Sequence, residues 1–94
     1  LAAFISDLKA GGVWQDTVIY IFSEFGRTNY EGGGQGTGHG AGGGHLVIGG
    51  SVRGGGNDLL VGDLPSFNDF MNNEATKVAV DFRNVYAEIF AWMG

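Results

Sequence analysis

His39 and His45 are the only histidines in the 94 residues, and they lie in or against a run dominated by glycine. Imidazole is the commonest transition-metal ligand, and glycine lets backbone come close to a metal or an oxyanion. The plainer account of two loop histidines is that they are solvated or hydrogen-bonded. Upstream, Ser23-Glu24-Phe25-Gly26-Arg27-Thr28 supplies a carboxylate and a guanidinium. Glu24 could serve as a ligand or general base, or it could form a structural ion pair with Arg27. The residues leave both roles open. Near the carboxyl end, Asp81-Phe82-Arg83 reads as an N-cap aspartate followed by an exposed or ion-paired arginine.

The glycine-rich stretch contains a literal G-x-G-x-x-G at Gly38, Gly40 and Gly43. That fingerprint holds a pyrophosphate only where a strand enters and a helix leaves, because the helix amino terminus supplies the N–H donors. Here a polar segment enters and a strand-like segment, His45-Leu46-Val47-Ile48, leaves. No Gly-Lys-Ser/Thr follows, so a P-loop is excluded as well. Composition alone makes residues 29–44 a glycine-rich loop.

These groups need elements to position them. Leu1, Phe4, Ile5 and Leu8 repeat at helical spacing, and Gly11-Gly12 supplies a left-handed stop. Thr17-Val18-Ile19-Tyr20-Ile21-Phe22-Ser23 is short, apolar and rich in β-branched and aromatic residues, which predicts a strand covered on both faces. A helix leading into such a strand is the unit of a parallel α/β sheet, where functional groups gather beyond the strands' carboxyl ends. That end carries Glu24. A second strand is expected over 45–48, and a weaker apolar run occurs at Leu59-Leu60-Val61. Phe82, Val85, Tyr86, Ile89, Phe90 and Met93 share one broad face of a final helix capped by Asp81. Trp14 and Trp92 adjoin apolar segments and are expected to pack there. So few strands and helices leave edges and faces uncovered.

Five basic residues against ten acidic ones give a formal charge of -5, which opposes binding to nucleic acid or anionic lipid. The absence of cysteine rules out disulfides and thiolate metal sites, leaving oxygen and imidazole donors. The longest apolar run, 18–22, is far too short to span a membrane.

Four ordered segments resemble the DUF1501 family. Ser23-Glu24-Phe25-Gly26-Arg27-Thr28 is similar to its Ser-Glu-Phe-Gly-Arg-Thr signature. Gly36-Thr37-Gly38-His39-Gly40 resembles the family's Gly-Thr-Asp-His-Gly. The segment from Gly44-His45 through Gly49-Gly50-Ser51-Val52-Arg53-Gly54-Gly55 resembles its following strand and turn, and Asp81-Phe82-Arg83-Asn84-Val85-Tyr86-Ala87-Glu88-Ile89 resembles its terminal helix. The resemblance covers nearly the whole chain and only the last part of the longer family pattern.

The resemblance implies that residues 1–94 are the carboxyl-terminal part of a single α/β domain, a parallel-sheet sandwich related to alkaline phosphatases and sulfatases, with the remaining parent chain required for the full fold. It implies an exported, periplasmic or extracytoplasmic parent that hydrolyses phosphate or sulfate esters of small molecules with a divalent metal (zinc, manganese or calcium). Glu24 and His39, with His45 as the weaker candidate, would be metal ligands; Arg27, Thr37 and Gly38 would bind substrate or support the site. Gly38 stands where the family has aspartate, removing a carboxylate that could bind metal or orient the imidazole. The chain alone is accordingly expected to be inactive. The alternative is a degenerate, metal-free relative serving as a binding or structural module. A third alternative is a glycine-rich flexible segment between two apolar helical ends that folds only on meeting a partner.

Overall fold

The structure, a computed structural model, describes residues 1–54, 61, 62, 65, 66, 68, 70, 71 and 75–94. Its elements in chain order are α1 (Ala2–Ala10), a single 3-10 turn (Trp14–Asp16), β1 (Val18–Ile21), β2 (Gly26–Glu31), β3 (Thr37–Gly40), β4 (Leu46–Gly49), β5 (Phe70–Met71), β6 (Ala75–Thr76) and α2 (Phe82–Met93). The chain is therefore mixed α/β.

The expected helix stop is present in detail. Gly12 adopts φ +71°, its N–H donates to the Lys9 carbonyl at 3.1 Å, and the Val13 N–H reaches the Leu8 carbonyl at 3.1 Å. This pair of bonds satisfies carbonyls that the helix end leaves open, and only a residue tolerant of positive φ can occupy the hinge. At the other end of the chain, Asp81 sits in extended conformation and accepts the Arg83 backbone N–H at 2.9 Å, capping α2 as its type and position predict.

The sheets depart from expectation. β1 pairs with β4 in antiparallel register, Val18 opposite Gly49 and Ile21 opposite Leu46. A second sheet has the order β3-β2-β6-β5, also antiparallel throughout. No parallel pairing occurs among the described residues. The physical reason lies in the connection: parallel neighbours need a crossover, usually helical, whereas residues 22–45 form a hairpin that returns the chain to the end of β1 it left. The stretch expected as a loop at 29–44 is thus largely β2, a turn and β3. Glycines allow this because the strands come unusually close. A Cβ at Gly26 would overlap the Gly42 carbonyl oxygen, and one at Gly40 would sit 2.7 Å from the Arg27 carbonyl oxygen.

Cover is sparse. Val18, Ile19 and Tyr20 are only half-buried, and Ile21 is exposed, so β1 is not covered on both faces as its composition predicts. No hydrophobic side chain is buried among the described residues, and Phe4, Phe22, Phe82, Phe90 and Met93 each expose more than half their surface. Trp14 is half-buried, with the Lys9 ammonium 5.5 Å from its ring centroid, whereas Trp92 is exposed. Leu59 and Leu60, part of the third apolar run, lie outside the described residues, and Val61 is exposed. No described helix is long and apolar enough to cross a membrane.

Candidate functional site

The segment that leaves β1, residues 22–25, organises the chemistry-bearing groups. Tyr20 in β1 and Phe22 just beyond its end stack their rings with centroids 5.0 Å apart. His45 immediately precedes β4, beyond the last paired position Ile21 opposite Leu46. Its ring therefore meets both aromatics, at 5.5 Å from Tyr20 and 6.4 Å from Phe22. The Tyr20 hydroxyl is hydrogen-bonded to His45 Nδ1.

Phe25 anchors the other histidine. In the β2–β3 hairpin Arg27 pairs with His39, and the His39 ring lies on Phe25 at 3.7 Å with an interplanar angle of 12°. Glu24 lies in sequence between the two aromatic residues that carry the histidines. Sequence reasoning missed Tyr20, Phe22 and Phe25 as neighbours of these groups. Period-two alternation along β1 could have placed Tyr20 and Phe22 together, but no local signal could place His45 against them.

Arg27 does not pair with Glu24. Its guanidinium reaches across the hairpin, with Nε donating to Thr37 Oγ1 at 2.8 Å and a terminal nitrogen donating to the Thr37 carbonyl. The Gly38 N–H donates to Thr28 Oγ1 at 2.9 Å, a second strut between the same strands. Arg27 and Thr37 are thus tied into hairpin structure, and Gly38 leaves no room question: a Cβ there would meet the Thr28 side chain at 3.5 Å, an ordinary contact. Glu24 has neither hydrogen bond nor ion pair among the described residues.

Asp81 and Arg83 form a separate pair at the start of α2. Arg83 Nε lies 2.9 and 3.1 Å from the two carboxylate oxygens. The arginine side-chain bonds, then its backbone N–H, lower the Asp81 carboxyl from 3.8 to about 2, and the carboxylate raises the Arg83 guanidinium in turn. This pair serves the helix end and lies outside the cluster at residues 22–25.

Carboxylate oxygen and imidazole nitrogen are suitable donors for a divalent cation. Among the described residues, however, no three His, Asp, Glu or Cys side chains converge as a cation site. The described residues alone do not make up a complete metal centre.

Two small antiparallel sheets and two helices make the chain mixed α/β. The chain belongs to the family described as a protein of unknown function, DUF1501, whose model matches residues 1–94. No curated protein and no solved structure matches it.

Proposed function

We propose that this chain supplies part of a divalent-metal site to a larger α/β domain, a parallel-sheet sandwich of alkaline-phosphatase type whose parent protein is exported and hydrolyses phosphate or sulfate esters of small molecules. Glu24 and His39 are the ligands it contributes. Further polypeptide of the parent completes both the ligand set and the sheet. The observation that carries this proposal is the placement of Glu24 between Phe22 and Phe25, each in ring contact with one of the two histidines. The donor types suit zinc, manganese or calcium, and the motif resemblance supports the hydrolase class. A parent-supplied nucleophile is needed for chemistry, so the chain alone should not hydrolyse esters.

The test is calorimetric titration of the chain and its His39→Ala variant with zinc and manganese, with circular dichroism to establish folding. Binding that disappears in the variant supports the half-site. A folded chain that binds neither metal favours the second reading, a degenerate binding or structural module. Gly38 favours that alternative, since a ligand-competent or imidazole-orienting carboxylate is absent there. Gly38→Asp in the full parent separates the two: higher metal affinity indicates a weakened site.

A further inference from the structure

We propose that Arg27 is the oxyanion-binding residue of the hairpin, taking two oxygens of a substrate's phosphoryl or sulfuryl group on the free edge of its guanidinium. The proposal rests on the ester-processing reading above and adds the residue that would hold the ester's charge.

A guanidinium carries five N–H donors in a planar fork and no acceptor, so the direction of each hydrogen bond it makes is set. Two donors are engaged, Nε on Thr37 Oγ1 at 2.8 Å and Nη2 on the Thr37 carbonyl. Both belong to one edge of the fork, which Thr37 therefore occupies and holds in orientation. The other edge, formed by Nη1 and Nη2, has no partner among the described residues. Its two parallel N–H groups match the spacing of two oxygens on one oxyanion.

The nearby carboxylates leave this edge open. Glu24 forms no ion pair with Arg27 among the described residues, and neither does Glu31, which stands opposite Thr37 in the ladder. Arg83 shows the contrast, because its guanidinium is closed on Asp81. In a chain with ten acidic and five basic residues, a guanidinium that is held in place yet carries no carboxylate keeps its charge for an incoming anion.

The register sets Arg27 beside the proposed ligand. Arg27 stands opposite His39, a pairing that brings the two Cα atoms to about 5 Å. Thr37 and His39 are two apart in β3 and share one face of the hairpin. Phe25 meets both groups: the His39 ring lies on it at 3.7 Å, and the guanidinium carbon is 5.9 Å from its centroid. Arg27, Thr37 and His39 are all exposed, so a ligand reaches the fork from solvent. A tetrahedral group offers a third oxygen beyond the two the fork takes, which a planar carboxylate lacks. Thr37 and Phe25 act through Arg27 and are positioning residues.

The experiment is titration of the 15N-arginine-labelled chain with inorganic phosphate, sulfate and acetate at constant ionic strength, reading the guanidinium N–H signals of Arg27, Arg53 and Arg83. The expected result is a saturable shift at Arg27 with phosphate or sulfate, at least about tenfold tighter than any shift at Arg53, an exposed arginine outside the hairpin. Phosphate alone assigns a phosphoryl group, sulfate alone a sulfuryl group, and both together the tetrahedral charge they share. Arg27→Lys keeps the charge without the fork and should weaken binding about tenfold, followed on the backbone amides of β3. No saturable shift at Arg27, an equal response at Arg53, an equal response to acetate, or undiminished binding in Arg27→Lys would overturn the proposal. The titration of the native chain decides the matter even if the variant loses the hairpin. Zinc added to the sulfate arm separates the two readings. Zinc that leaves His39 unmoved while Arg27 still takes the anion counts against the metal half-site alone, and zinc at His39 with no anion at Arg27 counts against the Arg27 role alone.

Discussion

Asp81 shows how much a single side chain can do at the boundary of an element. It caps α2 through the Arg83 N–H and holds the same residue's guanidinium, which keeps its carboxyl at about 2. A carboxyl depressed from 3.8 to about 2 contributes stability that is present above pH 4 and lost as pH falls toward 2, because the unfolded chain takes up the proton first. Acid titration followed by amide signals at the start of α2 should therefore show fraying in that window. Asp81→Asn, which can still cap but carries no charge, should remove the pH dependence while keeping helix. Arg27 makes the corresponding statement for the hairpin. Arg27→Met removes both bonds to Thr37 and should raise amide exchange across β2 and β3, with a loss of about 1 kcal/mol for exposed bonds of this kind. If exchange is unchanged, the hairpin is held by its backbone ladder instead.

At the scale of elements, the hairpin depends on where glycine is required and where it is only tolerated. Gly26 is buried, and a Cβ there would run into the Gly42 carbonyl, whereas Gly33 in the turn has open space around it. Gly26→Ala should disrupt the β2–β3 pairing by about 1–3 kcal/mol, the usual range for overpacking, and Gly33→Ala should leave it intact. Amide exchange of residues 26–40 distinguishes the two. Gln35 occupies the left-handed region at φ 62°, where a non-glycine residue pays a steric cost, so Gln35→Gly should tighten the turn by up to about 1 kcal/mol. The α1 stop, the Asp81 cap and the approximate positions of β1 and β4 were legible from sequence because each is governed by residues within a few positions of one another. The hairpin was not, since its glycines read as flexibility until the opposite strand shows that they are needed for close approach. Likewise, the ion pair with Glu24 that spacing left open for Arg27 is not formed, because its partner, Thr37, lies across the turn.

For the whole molecule, the radius of gyration is 16.4 Å, against about 12 Å for a compact domain of this length. The accessible surface is 7339 Å², against roughly 5,200 Å² for a compact monomer of 9.9 kDa. The difference is carried in part by exposed Phe4 on α1, Phe82, Phe90 and Met93 on α2, and Ile21 on β1. Such a surface should bind a hydrophobic dye strongly, and supplying the remaining polypeptide of the proposed parent should suppress that signal. Dye binding that persists with the remaining polypeptide present would contradict the proposed completion of the fold.

Helix ends, the charge balance, the lack of thiolate chemistry and the motif order follow from residue types and short spacings, and these were set by the chain's own composition and neighbours. Strand direction, the partners of Arg27, and the placement of His39 on Phe25 and His45 on Tyr20 came only with the fold. Each joins residues from separate strands or from opposite sides of a turn, so it depends on register and chain reversal, which local propensity does not encode. The same distinction explains the two histidines: alike in type and close in sequence, they meet different aromatic rings, His39 on Phe25 and His45 against Tyr20 and Phe22, because long-range pairing brings those rings to them.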